Sequence, residues 1–226
     1  MNKLNKMLTA LAAFTILSIT GANSLELRTG LSANGMAGYA NVEEKLKDSN
    51  RISNQEAIVA TSFASVFAEV SVDEAMGLGI GVMYAPEVLA TDTETRAIQP
   101  SGTGDSGNQI AKAEFEDLMQ LYLTLPIGDG GAYVKGGYMQ MTMTTNETLA
   151  TGSSYPDEEI DGTFVGAGYQ SDIGDAGVFW RAEGQYQMLD DISLTGSEEG
   201  GTSGSKNVIS AELGSVMASF SIGMKF

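Results

Sequence analysis

Phe220-Ser221-Ile222-Gly223-Met224-Lys225-Phe226 are the last seven residues of the sequence, and they decide the fold. Apolar residues alternate here with small or polar ones, which is the two-residue period of a β-strand. A soluble protein seldom leaves such a strand unpaired, because its exposed edge would bind other chains. The pattern is typical of a strand whose apolar face meets lipid and whose edges are both paired, as in a closed membrane barrel.

The same alternation recurs along the chain and predicts eight strands. It is clearest where Leu78, Ile80 and Val82 alternate with glycines, which would leave room for large side chains in a narrow lumen. The predicted strands are residues 25–40, 56–72, 76–88, 112–127, 131–145, 161–173, 177–190 and 207–226. The alternation breaks at Gly136-Gly137 and again near Gly214, within residues 213–216, so we expect a β-bulge at each place.

Short and long connections alternate between these strands. The short turns are Asp73-Glu74-Ala75, Gly128-Asp129-Gly130 and Gly174-Asp175-Ala176, and the long loops are residues 41–55, 89–111, 146–160 and 191–206. This sorting predicts an all-β fold, an eight-stranded up-and-down antiparallel transmembrane β-barrel with short periplasmic turns and long extracellular loops. A soluble β-sandwich or a lipocalin is the alternative. A lipocalin would bury apolar residues inside, whereas the second face of these strands carries Glu, Arg, Gln and Gly.

Composition excludes several classes of function. The 226 residues include 12 basic and 29 acidic side chains, a net charge of −17, which would repel nucleic acid. The sequence has no Cys and no His, so disulfides, thiolate metal sites and histidine chemistry are excluded. We expect no cofactor and no metal site. The acidic run Asp157-Glu158-Glu159 with Asp161 lacks the spacing of a calcium loop and is interpreted as a solvated loop.

The first 24 residues have the pattern of a secretory signal peptide. Lys3 and Lys6 precede an apolar run at residues 7–19, and Ala22-Asn23-Ser24 supplies the small residues of a cleavage site. A short buried helix is the alternative interpretation. The run is too short to span a bilayer as a helix, which takes about 20 residues. We therefore expect residues 1–24 to be a signal peptide and residues 25–226 to form the barrel.

These features resemble the small eight-stranded bacterial outer-membrane barrels, the group that contains the opacity proteins, OmpX and the OmpA membrane domain. The resemblance covers residues 25–226 in architecture, and its most specific motif is the C-terminal run with Gly223 and the terminal Phe226. In that family the barrel assembly machinery recognises such a segment. The resemblance thus implies an assembly signal made of Phe220, Ile222, Gly223, Met224 and Phe226. It also implies an outer-membrane location, with membrane lipid and lipopolysaccharide as surroundings.

The aromatic girdles that usually flank the apolar belt of such barrels are thin in this sequence. Trp180 is the only tryptophan. Six tyrosines could form partial girdles: Tyr84, Tyr122, Tyr133, Tyr138, Tyr169 and Tyr186.

Seven charged residues share the lumen-facing parity of the predicted strands. They are Glu26, Arg28, Glu69, Lys135, Arg181, Glu183 and Lys225, with Glu114 and Glu116 nearer the loops. Eight strands enclose an interior just wide enough for side chains to fill, so unpaired charges there would be costly. We expect Arg28, Arg181 and Lys135 to pair with glutamates and to plug and stabilise the barrel. An ion pathway or gate is the alternative.

The predicted function is non-enzymatic. The barrel enzymes known from this compartment use a catalytic His, which this chain lacks, so we assign no catalytic residue. We expect an outer-membrane barrel with a structural or surface-interaction role, in which the acidic loops would bind any surface ligand. A porin-like channel for small solutes is the alternative.

Overall fold

The computed structural model describes residues 25–45, 52–72, 77–90, 94–97, 108–148, 155–200 and 205–226. Ten strands lie within them: β1 (Leu25–Lys45), β2 (Ile52–Val72), β3 (Leu78–Ala90), β4 (Glu94–Ala97), β5 (Asn108–Ile127), β6 (Ala132–Thr148), β7 (Glu158–Ile173), β8 (Val178–Leu189), β9 (Ile192–Gly200) and β10 (Ser205–Lys225). No helix in this part of the chain is long and apolar enough to cross a membrane. The predicted signal peptide and the predicted turn at residues 73–75 lie outside the described residues.

Eight of the strands close into an antiparallel barrel. Consecutive strands pair in the order β1-β2-β3-β5-β6-β7-β8-β10, and β10 then pairs with β1 from Arg28↔Lys225 to Lys45↔Val208. The predicted up-and-down barrel is thus confirmed, and its last strand closes on its first. Two additional strands, β4 and β9, pair with β5 and β10. The end with the turns at residues 128–131 and 174–177 is called the short-turn end below, and the opposite end the long-loop end.

The barrel is narrow. The ladder of cross-strand partners that starts at Glu26 on β1 passes through Ser71, Gly79, Thr124, Lys135, Gly166, Gln185 and Met217 and returns to β1 at Met36. The stagger around the barrel is therefore ten residues, from position 26 to position 36. Side chains on this ladder point into the lumen, which in an eight-stranded barrel is just wide enough for them to fill.

The exterior carries a belt of exposed large apolar side chains. Members of the belt include Leu31, Val66, Ile80, Leu121, Leu123, Leu125, Val134, Val165, Phe220 and Ile222. Such a continuous apolar surface suits lipid and not water. Tyr138, Tyr169 and Tyr186 are exposed on the exterior, as the girdle interpretation requires. Tyr122 and Tyr133 are buried in the lumen, so their assignment to the girdles is wrong.

The two predicted bulges are absent from these strands. The pairing of β6 with both neighbours runs unbroken through Gly136 and Gly137, and that of β10 with β1 and β8 runs unbroken through Gly214. The predictions at Gly136-Gly137 and at residues 213–216 are therefore wrong. Register shifts lie elsewhere, between Glu87 and Leu89, between Glu116 and Met119, and between Lys206 and Val208.

A change of surroundings, not of pairing, reverses the apparent parity. Towards the long-loop end the strands rise above the apolar belt, where the interior is an apolar core and the exterior is polar. Met139 and Leu213 point inwards there, whereas Glu212 is exposed outside. Apolar residues thus exchange faces along one regular strand. For the same reason the strands extend further into the predicted loops than the alternation indicated.

The wall divides into two sheets at the long-loop end. Pairing between β2 and β3 ends at Val66↔Tyr84, although β2 continues beside β1 as far as Ile52↔Lys45. Pairing between β7 and β8 ends at Gly162↔Leu189. Beyond these points one sheet contains β9, β10, β1 and β2, and the other contains β3 to β7.

Four lumen aromatics each lie against a glycine on the adjacent strand. The cross-strand pairs are Phe67 with Gly30, Tyr122 with Gly81, Tyr133 with Gly168, and Phe179 with Gly223. A Cβ atom added to Gly81 would lie 2.4 Å from the Tyr122 ring. The missing side chains make room for the rings, which in turn cover the glycine backbone.

Substituting Gly81 with Ala should destabilise the barrel by about 1–3 kcal/mol, because the added methyl displaces the buried Tyr122 ring. Gly35→Ala is the matched control, since a Cβ atom there meets no atom within 4 Å. Urea unfolding, followed by the heat-dependent gel mobility of the folded barrel, measures both variants. Equal stabilities for the two would contradict this role of the glycine.

Candidate functional site

The candidate site is a layer of ion pairs across the lumen near the short-turn end. Arg181 on β8 and Glu69 on β2 form its centre, and both are buried. Arg181 donates two hydrogen bonds to the Glu69 carboxylate, Nη1 to Oε2 at 3.1 Å and Nη2 to Oε1 at 3.0 Å. Arg28 donates a third to Glu69 Oε1 at 3.1 Å. The bidentate geometry gives this pair a fixed orientation.

A second pair lies next to the first. Lys135 Nζ on β6 is 3.3 Å from Glu183 Oε2 on β8, and the Tyr133 hydroxyl donates to Glu183 Oε1 at 2.7 Å. Arg181 Nη1 is 4.0 Å from Glu183 Oε1, so Arg181 lies between two carboxylates. Its Nη2 also donates to Gln170 Oε1 at 2.8 Å. The two pairs therefore form one network.

The network is electrically balanced. The cations Arg28, Lys135 and Arg181 face the carboxylates Glu26, Glu69 and Glu183, three of each sign, with Arg28 also donating to Glu26. Burying single charges in a narrow lumen would cost several kcal/mol each, and pairing offsets much of that cost. Six of the seven predicted lumen charges thus meet in one layer.

The seventh predicted charge, Lys225, lies outside this layer. It pairs with Asp172 of β7 near the short-turn end, and Asp172 is not among the predicted lumen charges. Glu114 and Glu116 lie towards the long-loop end, where they line a groove between strands.

Aromatic rings surround the cations. The guanidinium carbon of Arg181 lies 5.1 Å from the Phe67 ring centroid, 5.2 Å from that of Tyr133 and 5.5 Å from that of Phe179. Lys135 Nζ lies 3.9 Å from the centroid of Tyr122. These are the ring positions that the partner glycines permit. The rings attract the cations and exclude water, which strengthens the ion pairs.

A polar, uncharged layer follows towards the long-loop end. The hydroxyls of Ser32 and Ser221 lie 2.7 Å apart, and Ser219 donates to Asn34 Oδ1 at 2.7 Å. Gln120 Nε2 donates to Gln185 Oε1 at 3.0 Å. These hydrogen bonds cross between strands, so they add lateral contacts inside the wall.

An apolar layer fills the lumen beyond the amides. It contains Leu118, Met139, Met141, Met143, Ile160 and Met217, all buried. The prediction that the second face carries Glu, Arg, Gln and Gly is wrong in this part of the barrel. The run Met139-Gln140-Met141-Thr142-Met143 could have shown it, because its methionines all have lumen parity. Methionine is adaptable enough to fill such an irregular interior.

The predicted assembly signal lies at the closing strand. Phe220, Ile222, Met224 and Phe226 are exposed on the exterior, and Phe220 stacks on Trp180 with ring centroids 6.1 Å apart. Gly223 points inwards against the Phe179 ring. Recognition of this segment by the assembly machinery stays a prediction.

Comparison with known proteins gives matches at the level of solved structures. No family model matches the sequence, and no match is found among curated proteins. The outer membrane protein OprG from Pseudomonas aeruginosa is similar over 91% of this chain and 96% of its own, with 13% identity and a TM-score of 0.47. Ail of Yersinia pestis is similar over 87% of this chain and 99% of its own, with 11% identity and a TM-score of 0.38. The outer membrane protease OmpT from Escherichia coli is similar over 89% of this chain and 97% of its own, with 10% identity and a TM-score of 0.40.

Likenesses this distant carry no inference about activity. The fold is instead established by the closed ladder of strands and the apolar belt of this chain itself. Together they are the architecture of an outer-membrane β-barrel.

Removing one member of the central pair should be costly. Arg181→Met leaves the buried Glu69 carboxylate without its bidentate partner, so we expect a loss of about 3–5 kcal/mol of stability. The double variant Glu69→Gln/Arg181→Met should lose less than the sum of the two single variants, since no uncompensated pair member remains.

Urea unfolding of the folded barrel in detergent measures this cycle. Asp172→Asn is the control. The Asp172 side chain is more than half exposed, so its ion pair with Lys225 should contribute at most about 1 kcal/mol. Strict additivity of the two central substitutions would show that the pair is not coupled.

Proposed function

We propose that the protein spans the bacterial outer membrane as a non-enzymatic barrel with a closed lumen and a structural or surface-interaction role. The observation that carries the proposal is the balanced ion-pair layer, whose side chains bind one another across the lumen. The cavity beside Arg181, Glu183 and Gln185 has a volume of about 10 Å³, which is close to the least that holds one water. The apolar layer beyond it is a second barrier to ions.

Export and membrane insertion are part of the proposal. Residues 1–24 would direct the chain across the inner membrane, after which residues 25–226 would insert as strands. The exposed apolar belt supports insertion, because lipid leaves those side chains out of water while the closed ladder satisfies the backbone. In this orientation the short turns face the periplasm and the long loops face the exterior.

The absence of an enzymatic role is also a proposal. The sequence contains neither His nor Cys, which removes the usual bases and thiol nucleophiles. Lys135 and the carboxylates of the lumen are held in ion pairs. Both observations favour a structural use of these charges.

A gated channel for small solutes is the second candidate. Arg181 lies 3.0 Å from one carboxylate and 4.0 Å from another, so a small movement would exchange its partners. Above it, Gln120 Oε1 and Gln185 Nε2 have no hydrogen-bond partner within the described part of the chain. Buried amide atoms usually have partners, and water in an open lumen would supply them.

Planar-bilayer conductance separates the two candidates. A closed barrel predicts no reproducible current steps for the purified protein. The double variant Glu69→Ala/Arg181→Ala removes one cation and one carboxylate, so the remaining pairs stay balanced. It should conduct if the ion-pair layer is the main barrier. Reproducible steps from the unmodified protein would refute the closed lumen and favour the channel.

Lipopolysaccharide is the proposed surface partner, bridged by divalent cations. Four carboxylates, those of Glu43, Glu56, Asp191 and Glu212, line a concavity of about 400 Å³ at the long-loop end. No group of three or more potential ligands among the described residues could hold a metal ion by itself. A cation would therefore be shared between these carboxylates and the anionic groups of the lipid.

Adding Mg²⁺ or Ca²⁺ should strengthen the association of the barrel with lipopolysaccharide, measured by co-sedimentation with lipopolysaccharide vesicles. Glu43→Gln/Glu212→Gln should reduce the effect, whereas Asp172→Asn at the opposite end should leave it unchanged. If neither cation alters association or thermal stability, the bridging proposal fails.

A further inference from the structure

A groove of about 550 Å³ interrupts the barrel wall between β2 and β3 at the long-loop end. Residues 61–64 of β2 form one side, and residues 86–89 of β3 with 114–116 of β5 form the other. The groove lies just beyond Val66↔Tyr84, where the pairing of these strands ends. The Thr61 hydroxyl donates to the Val88 carbonyl at 2.9 Å, so a side chain replaces the backbone ladder there.

Backbone irregularities concentrate at this groove. Two register shifts lie beside it. The β3–β5 pairing shifts between Glu87 and Leu89, and the β5–β6 pairing shifts between Glu116 and Met119. Asp117 has a φ of 55°, the one positive φ of a non-glycine residue in the described ranges, and its carboxylate accepts from the Tyr84 hydroxyl at 2.6 Å. Strained residues and bulges persist mainly where they position a functional feature.

The sheet also brings two like charges together at the groove. Glu87 on β3 and Glu116 on β5 are direct cross-strand partners. Like charges directly opposite each other destabilise a sheet. A cationic group placed between the two carboxylates would remove that repulsion and gain two attractions.

Apolar side chains form the walls behind the carboxylates. Val88 is buried, and Phe63, Leu89 and Phe115 are half-buried and pack against the apolar layer of the lumen. The groove thus combines an anionic pair with an apolar lining, and its volume is that of a small-molecule site.

We propose that this groove binds an amphipathic organic cation, whose charged centre lies between Glu87 and Glu116 and whose apolar body contacts Phe63 and Phe115. A bare metal ion fits less well, because no group of three or more ligands is found in the described residues and half of the lining is apolar. An anion of the same shape is disfavoured by both carboxylates. The site does not depend on whether the lumen conducts.

Tetraphenylphosphonium and tetraphenylborate are suitable probes, since they have nearly the same shape and opposite charge. Equilibrium dialysis against the full barrel in lipid nanodiscs, corrected with empty nanodiscs, gives the binding of each. We expect saturable binding of the cation at about one per barrel and none of the anion. Equal binding of both would overturn the proposal, because an apolar surface alone would explain it.

Substitutions in the groove locate the site. Glu87→Gln/Glu116→Gln should weaken the binding of tetraphenylphosphonium about tenfold, the ratio expected for two partly exposed ion pairs. Phe63→Ala should weaken it through lost apolar contact. Asp129→Asn, in an exposed turn at the short-turn end, should change it less than about twofold, which controls for the general negative charge of the barrel.

The same double variant supplies a readout that does not depend on the probe. Removing the opposed carboxylates should raise the urea midpoint of the empty barrel, because the cross-strand repulsion disappears. A lowered midpoint would mean that the pair stabilises the wall itself, and the proposal would then fail. So would an unchanged affinity for tetraphenylphosphonium in a variant that folds normally.

Discussion

The hydrogen bonds between β10 and β1 are the interaction on which the rest of the structure depends. Lipid offers no partner for a free backbone N–H or carbonyl, so a sheet can lie in a membrane only if it has no edge there. The ladder reaches the last residue, where Phe226 N donates to the Leu27 carbonyl at 2.8 Å and Leu27 N donates to the Phe226 carbonyl at 3.1 Å. The C-terminal strand thereby closes the wall along its whole length.

Closure with eight strands and a stagger of ten residues then dictates the interior. The lumen has room for side chains but little else, so the four rings around the ion pairs each lie beside a position without a side chain. Gly30, Gly81, Gly168 and Gly223 supply those positions. The rings in turn surround Arg181, and its charge requires a bidentate carboxylate because burial in such a site is costly. The glycines and the ion pairs are thus consequences of one narrow cross-section.

Within the belt the sequence predicts the structure well, because the two faces of each strand meet fixed and opposite surroundings. Lipid lies outside and polar side chains lie inside, so parity alone places Arg28, Glu69, Arg181 and Glu183 in the lumen. Which carboxylate meets which cation depends on register between strands, and one strand cannot show it. Asp172 has the parity of Gln170 within the predicted strand 161–173, so parity could have placed it in the lumen, but only the register brings it to Lys225.

Beyond the belt, alternation stops being a reliable guide. The lumen becomes apolar and the exterior polar, so a regular strand that passes from one environment to the other gives the same signal as a bulge, as after Gly136-Gly137 and before Gly214. The register shifts beside Glu87 and Glu116 give no separate signal, because Glu114 and Glu116 keep the parity of Gln120 and Tyr122 across the second shift. The point where the β2–β3 ladder ends cannot be predicted from the alternation either, because it depends on how two strands pair.

The division of the wall into two sheets links these observations. Below the division, every strand of the closed barrel has two neighbours, and lipid would penalise any defect. Above it, water can solvate a free edge, so the wall tolerates a missing ladder, a strained Asp117 and two opposed glutamates. These departures from regular pairing meet at the β2–β3 groove, while the other sheet keeps continuous pairing between β1 and β10 up to Lys45↔Val208. Such asymmetry suits the binding site proposed for this groove. The regular, closed part of the wall stabilises the fold, and the groove can therefore keep its irregular pairing.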